Sequence, residues 1–175
     1  EYTLESLMNQ VSMVFQRVYL FHDTIENNIK FGRPDATHEQ VVEAARNACC
    51  HDFISALSDG YDTVIGEGGA TLSGGEMKRI EIATVLARHT KLSLFDEPEA
   101  GIDLWSFARL TETFEQLHRE HTASMIIISH QERIIQLADE IIVVGGGEIR
   151  HRGTTEEIFP LIMADTLGSC PVLNR

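Results

Sequence analysis

The stretch from Thr71 to Asp103, TLSGGEMKRIEIATVLARHTKLSLFDEPEAGID, constrains this chain more than any other. It reads as a glycine turn opening a helix, a short apolar strand ending in two acids, and a proline-containing loop that closes on a third acid. Ser73 precedes a pattern that sets Met77, Ile80, Ala83, Leu86 and Ala87 on one helical face. Glu76 follows Ser73 at the spacing of a capping box. Alone, that is the signature of a well-capped helix. Gly74 and Gly75 add a second meaning, because unpaired N–H groups at a helix N-terminus favour an anion such as phosphate. Leu92 to Phe95 then form an apolar strand ending in Asp96-Glu97-Pro98, and open α/β sheets place ligand chemistry at the C-terminal ends of buried strands. Asp96 suits Mg²⁺ held mostly through waters, and Glu97 suits a general base acting on a water.

LSGGE followed by LSLFDEPEAGID resembles the signature motif, Walker B strand and D-loop of the ABC-type ATPases, and the resemblance extends over essentially the whole chain. It implies an α/β fold, a partial RecA-like P-loop NTPase core with an inserted helical signature subdomain. The implied division is 1–22 for a first piece of core with the Q-loop, 23–88 for the helical subdomain and 89–175 for the core with Walker B, D-loop and H-loop. The same resemblance implies ATP and Mg²⁺ as cofactors and a head-to-tail pair of domains, in which the signature loop of one presses on the γ-phosphate held by the other. By position, Ser73, Gly74, Gly75 and Glu76 are then nucleotide contacts across the dimer, Asp96 serves Mg²⁺, Glu97 is the base, and Asp103 links the two sites. Glu76 stands where many members have Gln, and Glu99 where many have Ser or Thr; neither change removes a group that does chemistry.

Earlier in the chain, Glu1 to Asn9 is a polar entry and Val11 to Phe15 reads as a short strand. VFQRVYLFHDTIENNI resembles the Q-loop region of ABC exporters, which places Gln16 near Mg²⁺ and the attacking water and turns the segment toward a membrane domain. Seen without the family, Val18 to Phe21 are simply core. Asp35 to Leu57 is helical in pattern, with a start at Thr37, an apolar stripe through Val41, Val42, Ala44, Ala45 and Ala48, and a second short helix from Asp52. The glycine-rich run that follows resembles the exporter GExG element at Gly66 to Gly69. Beyond Asp103 a helix from Leu104 to His121 carries Phe107, Leu110, Phe114 and Leu117 as core. Met125 to Ile128 is a fully apolar run expected to be a buried parallel strand, and His130 just past it matches the switch histidine of the family's H-loop. A helix over Gln131–Asp139, a hairpin around Gly145-Gly146-Gly147 and a last helix from Gly153-Thr154 complete the expected order.

Composition narrows the function classes. A formal charge of −13 argues against a nucleic-acid partner, whose phosphates need a basic surface. Cys49, Cys50 and Cys170 are odd in number and without CxxC spacing, which disfavours disulfide frameworks and zinc sites. No apolar run approaches the roughly 18 residues of a membrane span. The family grips phosphate with a G-x-x-x-x-G-K-S/T loop, yet the lysines here are Lys30, Lys78 and Lys91 and none follows a glycine. The expectation is a chain that begins downstream of that loop, inactive alone, with a second ATPase domain and a transmembrane permease as partners at the inner face of the membrane. The part before Leu72 resembles exporter ATPases and the part after it the ABC ATPases of iron–sulfur cluster assembly, so a soluble cluster-assembly ATPase is the alternative. A non-catalytic fragment completing a partner's ATP site is the other.

Overall fold

The computed structural model describes residues 3–66, 70–120 and 124–167. Most of the Gly66–Gly69 element, and Cys170, lie outside the described residues. Two compact units divide at Ile128 and Ser129.

In the first unit, helix α1 (Leu4–Met8) leads into strand β1 (Val11–Val14), and strand β2 (Asp23–Thr24) runs directly into helix α2 (Ile25–Lys30). Helices α3 (His38–Asn47) and α4 (His51–Ala56), a 3-10 turn at Gly60–Asp62 and strand β3 (Val64–Ile65) follow. Helix α5 (Gly74–Arg88), strand β4 (Leu92–Asp96), helix α6 (Leu104–Glu120) and strand β5 (Ser124–Ile128) complete the unit. Strands β1, β4 and β5 form a parallel sheet in that order, with Val14 opposite Phe95 and Phe95 opposite Ile127. The acids of the Asp96-Glu97 pair therefore leave the sheet from its middle strand.

Side chains alternate across a strand, and in β4 this buries Ser93 and Phe95 on one face. That face is covered by α6, whose Phe114 meets Phe95 edge-on at 4.9 Å, a contact adding about 1 kcal/mol to the area it buries. On the opposite face Met13, Ile126 and Ile128 are exposed. The apolar run of β5 is thus not buried on both sides: its alternate side chains point away from the helix-covered face.

The helical portion surrounds α5. Thr84 on α5 donates to the carbonyl of Asn28 on α2 at 3.1 Å, and the antiparallel pair β2–β3 closes the start of α2. Buried Asn28 donates to the Phe21 and Thr24 carbonyls and accepts from the Phe21 N–H at 2.8 Å, fixing the turn that precedes α2. Helix α2 is absent from the sequence reading, since six residues with two asparagines carry little helical propensity of their own. Thr37 caps α3 reciprocally with Gln40, and Ser73 caps α5 reciprocally with Glu76, as their spacing predicts. Helix α5 differs from its expected single face. Met77 and Leu86 are half-buried, whereas Ile82, Val85, Lys78 and Glu81 are buried as well as Ile80, Ala83 and Ala87, because α5 lies between the sheet and the shorter helices.

In the second unit, helix α7 (Glu132–Ile135), strands β6 (Glu140–Gly145) and β7 (Glu148–Thr154) and helix α8 (Thr155–Leu167) follow one another. Helix α7 is shorter than the expected Gln131–Asp139. After it Leu137 and Ala138 bond back three residues instead of four, so the segment tightens into turns. The β6–β7 hairpin turns at Gly146 and Gly147, both at positive φ, which glycine adopts without a side-chain clash.

Candidate functional site

The ends of β1 and β4 bring two of the expected residues together. Gln16 follows β1, Glu97 follows β4, and the Gln16 amide Nε2 donates to Glu97 Oε2 at 3.0 Å. Glu97 has φ 45°, a left-handed conformation that costs a non-glycine residue on the order of 1 kcal/mol or more and collects at functional sites. Its N–H bonds to the carbonyl of Ile128 at 2.9 Å, so the neighbouring strand holds the turn. Asp96 closes β4 one residue earlier, opposite Ile128. An amide fixed beside a carboxylate can orient a water for proton transfer, and Asp96 puts a hard oxygen donor next to it.

A second cluster forms where α5 begins. Gly75 sits against the turn after Pro98: a Cβ there would lie 2.3 Å from the carbonyl oxygen of Gly101. Close backbone approach, more than an exposed N–H, is what Gly75 supplies. Gly74 has open space around its Cβ position, and Ser73 Oγ and Glu76 are engaged in the capping box, with Glu76 accepting from the Ser73 N–H at 2.7 Å. Asp103 caps α6, accepting from the N–H groups of Trp105 at 3.1 Å and Ser106 at 2.9 Å. The Ser106 backbone and hydroxyl, and then Arg79, hold the Asp103 carboxyl below its ordinary range.

Arg79, which sequence reasoning passed over, joins these pieces. It donates to the Gly75 carbonyl and to Cys49 at 3.3 Å, bonds Ser106, lies 3.7 Å from Asp103 Oδ2 and stacks its guanidinium 5.0 Å over Phe53. Lys78 was missed in the same way: it donates to the carbonyls of Phe15 and Gln16. The available signal was two cations inside the pattern of a helix flanked on several sides. His130 stands in the second unit, two residues past the end of β5, and is exposed.

Beside the first cluster, Tyr19, Phe21 and Phe31 form an aromatic group at the surface. Phe21 stacks on Phe31 at 4.1 Å and meets Tyr19 edge-on at 5.3 Å. They line a groove of about 480 Å³ with Met13, Asn28 and Arg88.

Residues 1–100 match the ABC transporter family model. The chain is 43% identical over 160 residues to the ATP-dependent lipid A-core flippases of Salmonella typhimurium and Escherichia coli K12; the match covers 91% of this chain and 27% of each relative. A similarity of that extent runs well beyond Leu72 and is not confined to the first part. Among solved structures, a bacterial Atm1-family ABC exporter with ATP bound superposes with a TM-score of 0.82 at 34% identity, over 92% of this chain and 28% of that one. The chain thus spans little more than a quarter of the length of these relatives. With more than half of its residues matched by the family model, its α/β fold shared with the exporter structure and its acids at the end of the central strand, the chain belongs to the ABC transporter family, as an exporter-like ATP-binding cassette domain.

Proposed function

We propose that this chain is the hydrolytic part of an ATP-binding cassette that energises an exporter, and that its active unit is a head-to-tail dimer of such cassettes. The observation that carries the reading is the Gln16–Glu97 hydrogen bond at the ends of adjacent strands, with Glu97 in a left-handed turn. Bound Mg·ATP would supply the transferable phosphoryl group and a cation to neutralise its charge.

The residues fit the metal and phosphate end of that ligand. Among the described residues no group of three or more His, Cys, Asp and Glu could hold a metal, and Mg²⁺ asks for fewer: one or two carboxylates, with waters and phosphate oxygens completing the shell. Asp96, with the Gln16 amide oxygen, would hold it. Glu97 would take the proton of a water oriented by Gln16, and His130 would donate to the γ-phosphate. Ser73, Gly74, Gly75 and Glu76 of the opposite copy would bring the N-terminus of α5 to the same phosphate, where its dipole stabilises developing negative charge. Asp103 would connect the two sites through Arg79, which ties it to α5. The phosphate grip itself would come from a loop outside this sequence.

The aromatic groove at Tyr19, Phe21 and Phe31 would receive the permease, placing the domain in the cytoplasm against the inner face of the membrane. No nucleic acid is expected at a chain of charge −13. The three-part division at 22 and 88 belongs to the same proposal, with α2 to α5 as the mobile signature-bearing part.

Calorimetric titration with Mg·ATP tests it, on the 175-residue chain and on a form extended upstream through a phosphate-binding loop. Binding by the extended form alone, with turnover lost in its Glu97→Gln variant, is the expected result. Tight binding by the short chain, or full turnover in Glu97→Gln, would overturn the assignment.

A further inference from the structure

Helix α5 buries two charges for which hydrolysis supplies no role: Lys78 is 1% exposed and Glu81 7%. Taking an ammonium out of water costs several kcal/mol unless it is paired and fully hydrogen-bonded, and an apolar side chain would fill the same space without that cost. What the lysine meets there is specific. The ladder between β1 and β4 ends at Val14, leaving the carbonyls of Phe15 and Gln16 beyond the sheet. Lys78 Nζ donates to both, at 3.2 Å for Gln16, and lies 3.5 Å from Glu81 Oε2. Burial pushes the Glu81 carboxyl above its ordinary range, against the pull of Lys78 and then of the backbone N–H groups of Tyr19 and Phe15. One turn of α5 thus offers a cation to the carbonyls of a single loop and keeps beside that cation a carboxylate whose Oε2 accepts no hydrogen bond. The side chain of that loop's Gln16 is the one that reaches Glu97.

We propose that Lys78, backed by Glu81, is a positioning residue for hydrolysis: it clamps the backbone at Phe15–Gln16 so that the Gln16 amide meets Glu97, and it obliges the Gln16 loop to follow α5 when that helix moves. The proposal deepens the reading of Gln16 and Glu97 as the hydrolytic pair and rests on it. The start of α5 is the glycine turn proposed to face nucleotide on an opposite copy, so the clamp gives that contact a direct mechanical line to the base. No other side chain on α5 is bonded to the Gln16 backbone among the described contacts.

The test uses the protein at its full natural length and compares Lys78→Met, Lys78→Gln and Gln16→Ala. Lys78→Met is expected to lower kcat about tenfold or more with the KM for ATP changed less than about threefold. Lys78→Gln, which keeps a donor, should recover much of the loss. Added to Gln16→Ala, Lys78→Met should cost less than about twofold further, the non-additivity of residues acting through one another. Independently of turnover, amide exchange in the nucleotide-free protein should quicken about tenfold at Phe15 and Tyr19 in Lys78→Met and stay unchanged within α5. If Lys78→Met does not fold, Lys78→Met/Glu81→Leu removes both charges together and takes its place in every arm.

Unchanged exchange at Phe15 and Tyr19, or losses that multiply independently with Gln16→Ala, would overturn the clamp. Full turnover in Gln16→Ala and Glu97→Gln would instead overturn the hydrolytic reading, and the exchange arm would still show whether Lys78 fixes the loop.

Discussion

Gly74 and Gly75 stand side by side and meet different surroundings. A methyl group on Gly75 would collide with the backbone carbonyl of Gly101 at 2.3 Å, while one on Gly74 would meet nothing. Gly75→Ala should therefore destabilise the fold by about 1–3 kcal/mol, as overpacking does. Gly74→Ala should stay within about 1 kcal/mol of the parent, since alanine at the first helical turn gains backbone entropy and clashes with nothing. Paired denaturant melts of the two variants check this, and equal losses would show that the close approach to Gly101 does not govern the turn. At this scale the sequence was legible where the pattern is local. Ser73 and Glu76 bond each other across one helical turn, so their spacing alone discloses the cap. Lys78 and Arg79 were illegible because their partners, Phe15, Gln16, Cys49 and Ser106, come from other elements, and charge in a helix reads by default as a solvated face.

At the scale of elements, the same contrast separates α5 from its neighbours. A helix covered on one side writes that side as a stripe, but α5 is covered on several and holds its charges inside, so its sequence period understates its burial. Helix α2 shows the opposite case, a short helix stabilised by its surroundings. On it Glu26 binds Lys30 Nζ and His38 Nδ1, each at 2.7 Å, and so ties α2 to the first turn of α3. Burial pushes the Glu26 carboxyl up, but the bonds from Lys30 and His38 outweigh it and hold it below its ordinary range. A carboxyl depressed in the folded state contributes stability that is present above its unfolded pKa of about 4.3 and is lost as pH falls through the folded value. Glu26→Gln should therefore melt lower than the parent at neutral pH, and the gap should close on acidification toward about pH 3. A gap independent of pH would mean that the glutamate acts by shape and not by charge. The β5 strand was read as buried on both faces because an apolar run looks alike in either setting; its position in the sheet, which sequence does not carry, decides that Ile126 and Ile128 face outward.

For the molecule as a whole, fold class was readable because the glycine turn, the acids and the loop after them stand at fixed spacing, whereas α2 and the short β2–β3 pair left no pattern long enough to read. The candidate site was readable as a set of residues, Gln16, Asp96 and Glu97, but not as a geometry: only the parallel pairing of β1 with β4 puts the first beside the last. Surfaces were hardest to foresee, since an exposed residue leaves no periodic mark. Trp105 is the example. It is the sequence's single tryptophan, it follows Asp103 by two residues, and it stands 83% exposed at the first turn of α6. Its indole thereby stands at the corner where two cassettes are proposed to meet. In an extended form whose other tryptophans are replaced by Phe, its emission should begin red-shifted and open to acrylamide quenching, then move to the blue and resist the quencher when Mg·ATP assembles the protein; an indole whose spectrum ignores assembly would place the contact elsewhere.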